Sequence, residues 1–304
     1  MTTSATSTAG LARPLHILNE EIVHCSRCPR LVAHREEIGR VQKRAYRGQE
    51  YWSRPVPGFG DPFARLLIMG LAPGAHGSNR TGRAFTGDRS GEFLYRALWE
   101  TGFANQPHSI SRDDGLVLKD AYIVASVRCV PPDNKPLREE TLACRPFLVR
   151  ELALLPQVRV VVALGGIALD AYLSVLQDSG LIRSRAPFRF AHGAAFETHP
   201  GGPLVVCSYH PSQQNTSTGR LTAAMLHGIF DMVRERLATG DSDASCPELG
   251  AEAAVEGIPV GGKPVTHSRA PVHSQAGHKE LAPDTEGQEA CRRRRSQTSA
   301  GSRH

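Results

Sequence analysis

Four short apolar runs interrupt an otherwise mixed pattern between about Arg13 and Gly240: Arg65 to Leu71, Ala121 to Val127, Val158 to Leu164 and Leu204 to Ser208. Each is rich in Val, Leu and Ile and too short for a helix. Each is also apolar at consecutive rather than alternate positions, the pattern of a strand covered on both faces. Elsewhere the apolar spacing changes to three and four. Ser90 to Glu100 has Phe93, Leu94, Ala97 and Leu98 at helical spacing and stops at Gly102. Leu137 to Leu155 carries Leu142, Phe147, Leu148, Leu152 and Leu155, and Arg220 to Leu237 carries Leu221, Met225, Ile229, Met232 and Leu237 before Gly240. These spacings predict amphipathic helices, with glycine as the stop. Strands alternating with helices predict an α/β fold with a parallel sheet. Ligands of such sheets bind beyond the carboxyl ends of the strands, so chemistry is expected in the loops beginning at Ala72, Arg128, Gly165 and Tyr209.

The ends of the chain read differently. Residues 241–304 contain no Phe, Trp or Tyr and are rich in Gly, Pro, Ala, Ser and Glu, a composition that cannot bury enough to fold. We expect a flexible N-terminus over 1–12, a folded domain over 13–240 and a disordered tail over 241–304. The tail's run Arg292 to Arg295 reads as a solvated basic patch or a weak nucleic-acid contact. With 304 residues, 40% of them hydrophobic, the chain is long enough for a substantial core.

The net charge of +6 lies in residues 1–240, because the tail's eight basic residues are offset by nine acidic ones. That excess permits a polyanionic partner without requiring one. No stretch approaches the roughly 20 apolar residues of a membrane span, and Met1 to Gly10 lacks the layout of a signal peptide. A soluble, cytoplasmic monomer with no membrane association is expected.

Seven cysteines, an odd number, point away from a disulfide framework and toward metal, redox or core use. Cys25-Ser26-Arg27-Cys28 forms one pair, and Cys129 and Cys144 a second. Taken alone they leave zinc, an iron-sulfur cluster and no metal all open, because four cysteines suit either metal site. Basic neighbours, Arg27, Arg30, Arg35 and Arg128 among them, favour thiolates. Cys207 lies in an apolar strand and reads as core.

The run Gly70-Leu71-Ala72-Pro73-Gly74-Ala75-His76-Gly77 continues through Phe85 to Asp88 as a glycine-rich loop opening into a helix. It has neither the Gly-Lys-Ser/Thr ending of a Walker loop nor the G-x-G-x-x-G spacing of a dinucleotide site. Together with Val127-Arg128-Cys129-Val130-Pro131-Pro132-Asp133-Asn134-Lys135-Pro136, Cys144 and His210-Pro211-Ser212, it resembles the uracil-DNA glycosylase superfamily. Within that superfamily it is similar to the family 5 (UDGb-type) bacterial and archaeal enzymes that carry a four-iron, four-sulfur cluster. The resemblance covers about residues 20–237. It implies a three-layer α/β/α fold with a small, mainly parallel, four-stranded central sheet. It also implies a 4Fe-4S cluster held by Cys25, Cys28, Cys129 and Cys144 in a structural role. The implied substrate is double-stranded DNA containing uracil or other deaminated bases such as hypoxanthine or xanthine.

A glycosylase must swing its nucleotide out of the duplex and then stabilise a departing base anion and a sugar cation. The resemblance assigns His210 to the base anion; without it, a strand-end histidine with a structural hydrogen bond is the plainer reading. Better-known superfamily members carry an acid or amide in the first loop where Ala72 stands here. Asp88 and Asn134 are therefore the candidates for orienting water or balancing positive charge. Asp88 also reads as a helix N-cap and Asn134 as a turn residue. Phe85 is the candidate stacking surface, with Gly70, Ala72, Pro73, Gly74 and Ser212 lining the base site. The related family 4 enzymes read uracil with an asparagine where Ala125 stands here, which implies looser base discrimination.

Phosphate contacts are sought at Arg80, Arg83, Arg128, Lys135 and Arg220. Leu221 offers an apolar wedge, though as the first core residue of the last helix it reads more readily as buried. Two other readings remain: a non-catalytic nucleic-acid-binding protein with a four-cysteine metal site, and a nucleotide-phosphate enzyme using Leu164-Gly165-Gly166-Ile167 as an anion site, a run more economically read as a strand-to-helix turn.

Overall fold

Leu66, Leu67, Ile68 and Met69 are all fully buried, and they alternate between two cores. Leu66 and Ile68 join Leu94, Leu98, Phe230 and Val233, whereas Leu67 and Met69 join Tyr122, Leu169, Tyr172 and Leu173. A sheet with a core on each face is the middle of three layers, which is why its strands read as unbroken apolar runs. The computed structural model describes residues 5–242. Cys246, Cys291, the arginine run and the rest of the expected tail beyond Ser242 lie outside the described residues.

The strands are β1 (Phe59–Gly60), β2 (Leu66–Gly70), β3 (Ala121–Ala125), β4 (Val160–Leu164), β5 (Ala195–Glu197) and β6 (Leu204–Ser208). They form one sheet in the order β1-β3-β2-β4-β6-β5. The inner four are mutually parallel, with Ile68 beside both Ile123 and Val162, and Val162 beside Val206. These are the four predicted strands. The sheet is larger than the expected four because β1 and β5 add short antiparallel edges.

The helices are α1 (Ala5–Val23), α2 (Pro29–Val41), α3 (Ser78–Thr81), α4 (Arg89–Glu100), α5 (Arg138–Ala153), α6 (Gly166–Asp178), α7 (Gln213–Ser217) and α8 (Ala223–Ser242). α1 begins inside the segment 1–12 set apart above as flexible. α4 and α8 cover one face of the sheet and α6 the other. From β2 the chain passes to β3 on one side, then through α5 to β4 on the other. The loops at the carboxyl ends of β2 and β4 therefore diverge and leave a crevice. Among the described residues no helix is long and apolar enough to cross a membrane.

Candidate active site

A cavity of about 510 Å³ opens at the carboxyl ends of β2, β3 and β6 and gathers every candidate for catalysis and base binding. Gly70, Ala72, Pro73 and Gly74 form one wall, and Phe85 and Asp88 follow from the same loop. Asn134 stands at the rim, while His210 and Ser212 enter from the end of β6. Ala125, at the end of β3, lines it too. Gln213 and Gln214, from the polar loop 212–219 that the sequence places beside the extruded nucleotide, also line it, as do Val56 and Pro57, which sequence reasoning missed. Val56-Pro57 carried no signal.

His210 is held by its backbone: Asn215 Nδ2 donates to its carbonyl at 2.9 Å. Ser212 caps α7, its Oγ accepting from the Asn215 amide at 3.4 Å, so the residue offered as a base contact also shapes the loop that grips His210. The imidazole nitrogens have no hydrogen-bond partner among the described residues. Burial drives the His210 pKa down to about 4, because desolvation penalises the charged ring. At neutral pH it is an uncharged ring with an N–H to offer.

Its ring lies 5.7 Å from that of Phe85, the planes 33° apart. Phe85 adopts a φ of 51°, a left-handed conformation that costs a non-glycine residue free energy. Three features hold it there. Ser78 Oγ accepts its amide at 3.0 Å, and Gly70 lies so close that an added Cβ would meet the ring at 3.2 Å. At Gly91 an added Cβ would come within 1.7 Å of the Phe85 carbonyl oxygen.

Asp88 is a helix cap with one carboxylate oxygen left toward the glycine loop. Its Oδ1 accepts from the Gly91 amide at 2.9 Å, capping α4. The other oxygen faces the glycine loop: a Cβ at Gly77 would sit 1.9 Å from Oδ2, and one at Gly74 2.9 Å away. Burial raises the Asp88 pKa, while the amides of Gly91 and Ser90 and the charge of Arg80 oppose the rise. Asn134 is exposed, at φ 56°, in the 3-10 turn Pro132–Asn134, with a side-chain amide unpartnered among the described residues.

Several proposed DNA contacts require correction. Arg83 is buried, donating to Asp114 Oδ2 at 2.8 Å and Ser109 Oγ at 2.9 Å. Arg128 is buried in an ion pair with Glu151, whose other oxygen accepts from Tyr122 at 3.2 Å. Neither guanidinium can reach a phosphate. Arg80 is bound to backbone carbonyls. Lys135 and Arg220 remain exposed. Leu221 is fully buried, so it is core rather than a wedge. Gly165 donates its amide to Ser208 O at 2.8 Å, making Gly165-Gly166 a strand-to-helix turn rather than an anion site.

Cys25, Cys28, Cys129 and Cys144 line one small cavity of about 20 Å³, separate from the first, with Arg35 and Arg128. Arg35 Nη1 donates to Cys129 Sγ at 3.1 Å, and the Arg128 amide to Cys144 Sγ at 3.3 Å. Arg35 is buried with its Nε unpartnered and without a carboxylate partner among the described residues. An uncompensated buried cation beside four sulfurs fits an anionic thiolate-bound group. Among the described residues no three His, Cys, Asp or Glu side chains draw together closely enough for one metal ion. Cys207 is fully buried in the core, as expected.

Residues 57–234 match the model of the Uracil DNA glycosylase superfamily. Over 220 residues the chain is 56% identical to the Type-5 uracil-DNA glycosylase of Thermus thermophilus, covering 72% of this chain and 96% of that protein. It is 50% identical to the Type-5 uracil-DNA glycosylase of Mycobacterium leprae, covering 73% and 95%. It is 43% identical to the Type-5 uracil-DNA glycosylase of Pyrobaculum aerophilum, covering 74% and 91%.

Proposed function

Because the chain belongs to the Uracil DNA glycosylase superfamily, we propose a division of labour among the residues of its cavity. The enzyme removes uracil from DNA by hydrolysing the N-glycosidic bond and leaves an abasic site. A non-catalytic binding module is not favoured beside relatives that are named glycosylases at this identity.

The observation that carries the assignment is the neutral, half-buried imidazole of His210, its nitrogens without a hydrogen-bond partner among the described residues, beside the ring of Phe85. Cleavage puts negative charge on the departing base. A neutral N–H aimed at the pyrimidine oxygen strengthens its hydrogen bond as that charge develops, so it stabilises the transition state more than the ground state. An imidazolium in the same place would also attract the phosphates of unextruded DNA. Phe85 provides the face on which the extruded base stacks. The contacts from Ser78, Gly70 and Gly91 that impose its positive φ keep the ring in place before the base arrives.

Ala72 leaves the first loop without an acid, and Asp88 supplies a carboxylate from the far end of the same loop. With Oδ1 committed to the α4 cap, Oδ2 is left to accept from the attacking water and to face the sugar cation. The glycines at 74 and 77 allow its close approach. Asn134 offers an amide at the rim, able to hold the base edge or the water. Ala125 presents only a methyl group, so nothing at that wall distinguishes uracil from other deaminated bases, and hypoxanthine and xanthine are accepted as well.

A four-iron, four-sulfur cluster on Cys25, Cys28, Cys129 and Cys144 suits the second cavity, because its ligands bind separate irons and stand further apart than four thiolates on one zinc. When bound it ties the start of α2, the loop after β3 and α5 together and takes no part in the reaction.

The test is a labelled duplex with one uracil opposite guanine. The proposal expects free uracil and a strand that breaks only after alkali. A duplex left whole after alkali, with iron-replete protein, contradicts it.

A further inference from the structure

Arg80, offered by the sequence as a phosphate contact, spends its guanidinium inside the protein. Nε donates to His76 O and Nη2 to Gly87 O, both at 2.8 Å, and Nη1 donates to Gln49 Oε1 at 3.0 Å. The same group lies 4.1 Å from the centre of the Tyr46 ring. Tyr46 ends the 3-10 turn Arg44–Tyr46 that follows α2, and Gly87 precedes Asp88 in the glycine loop. Arg80 thus fastens that turn to the wall of the base cavity. The returning chain adds to the clamp. Tyr51 OH hydrogen-bonds His76 Nδ1 at 3.1 Å, and the amides of Trp52 and Ser53 donate to the carbonyls of Arg80 and Asn79 at 2.9 and 3.0 Å.

On this mounted turn stand Lys43, Arg44 and Arg47, all exposed. Among the described residues none of the three has an ion pair or a side-chain hydrogen bond. Arg40, Arg96, Arg150 and Arg236 are exposed but engaged, with Glu37, Glu100, Glu21 and Glu197, while Arg89, Arg138, Arg183 and Arg189 are, like the three on the turn, exposed without an ion pair among the described residues. No acidic residue lies between Val41 and Gln49. A solvated basic face accounts for the exposure alone. It does not account for three such cations gathered on one turn that Arg80 holds through Tyr46 and, just beyond it, Gln49.

We infer that the turn Lys43–Arg47 is a phosphate grip that binds the DNA backbone flanking the extruded nucleotide, on the glycine-loop side of the cavity. The inference rests on the glycosylase reading and adds to it the surface that positions the duplex. Charges of this kind fix register without reading sequence. A neutralised phosphate contributes about 0.9 to the slope of log affinity against log salt. A grip mounted by Arg80 also keeps the flanking phosphates at a constant distance from Asp88 and Phe85.

The test compares wild type, the triple variant Lys43→Ala/Arg44→Ala/Arg47→Ala, and a charge-matched control, Arg96→Ala/Arg150→Ala/Arg236→Ala. Binding to an undamaged duplex is followed by fluorescence anisotropy across a KCl series. Excision from a uracil duplex is followed in single turnovers with saturating enzyme. For the triple variant the inference expects the salt slope to fall by about two to three and affinity near 0.1 M salt to weaken about tenfold or more. Its saturated excision rate should stay within about twofold of wild type, and the control should keep its slope. An unchanged slope on an active enzyme overturns the grip. So does an equal fall in the control, which would mark a net-charge effect, or a loss of saturated rate without a change in slope. A wild type that leaves uracil uncut overturns the glycosylase reading beneath it.

Discussion

The rings of His210 and Phe85 face each other at 5.7 Å across the cavity, one from the end of β6 and the other from the loop after β2. Neither residue holds itself in place. Asn215 grips the His210 carbonyl, and Ser78, Gly70 and Gly91 hold Phe85 at its positive φ. The support of this pair is therefore as open to mutation as the pair itself.

Gly91→Ala isolates that support. A helical glycine replaced by alanine ordinarily gains up to about 1 kcal/mol of stability. Here the new methyl meets the Phe85 carbonyl oxygen, a backbone atom that must shift. We expect a loss of about 1 to 3 kcal/mol in urea unfolding and a fall in single-turnover excision of about tenfold or more. A gain in stability with an unchanged rate would show that Phe85 does not depend on Gly91.

The protonation state of His210 sets the pH behaviour. With a pKa of about 4, the ring is neutral throughout pH 6 to 8, and the rate contributed by His210 is flat over that range. A charged donor would instead lose activity as pH rose through about 6.5. Stability follows the same shift. Between about pH 6.5 and 4 the unfolded chain binds a proton at His210 that the folded chain does not, so stability drops as pH falls through that window. From pH 7 to 5 wild type should lose about 2 kcal/mol more than a His210→Asn variant, measured by denaturant unfolding.

Base range depends on the wall at Ala125. Wild type should release hypoxanthine and xanthine as well as uracil in single-turnover assays. Ala125→Asn should depress the two purines by about tenfold relative to uracil, because a fixed amide penalises bases that cannot pair with it. Wild type confined to uracil would contradict the loose pocket.

The cysteine cavity makes its own prediction. Protein purified without oxygen should bind about four irons per chain and absorb broadly in the visible. Cys144→Ser should lose both and lower the thermal midpoint while leaving the uracil cavity's residues in place. One tightly held zinc instead of iron would overturn the cluster.

The legibility of the chain follows from where its burial comes from. Val160 to Leu164 was readable because burial on both faces makes a continuous apolar run. β1 and β5 were not, since two or three partly or fully exposed residues on an antiparallel edge leave no periodicity. The glycine loop, Asp88 and His210 were legible as motifs, and the cavity contains them all. Arg83 and Arg128 were misread as surface cations because their partners, Asp114 and Glu151, lie 31 and 23 residues away, and no local pattern marks such pairs. Asp88 was ambiguous for a physical reason: one carboxylate oxygen caps a helix while the other faces the glycine loop.

The central claim is that His210 acts on the transition state rather than on binding. Single-turnover excision of uracil and duplex affinity, measured side by side for wild type and His210→Ala, test it most directly. The account predicts a rate lower by about 10² to 10³ with affinity for the uracil duplex kept within a few-fold. A variant that cuts at the wild-type rate, or whose loss lies wholly in affinity, would contradict it.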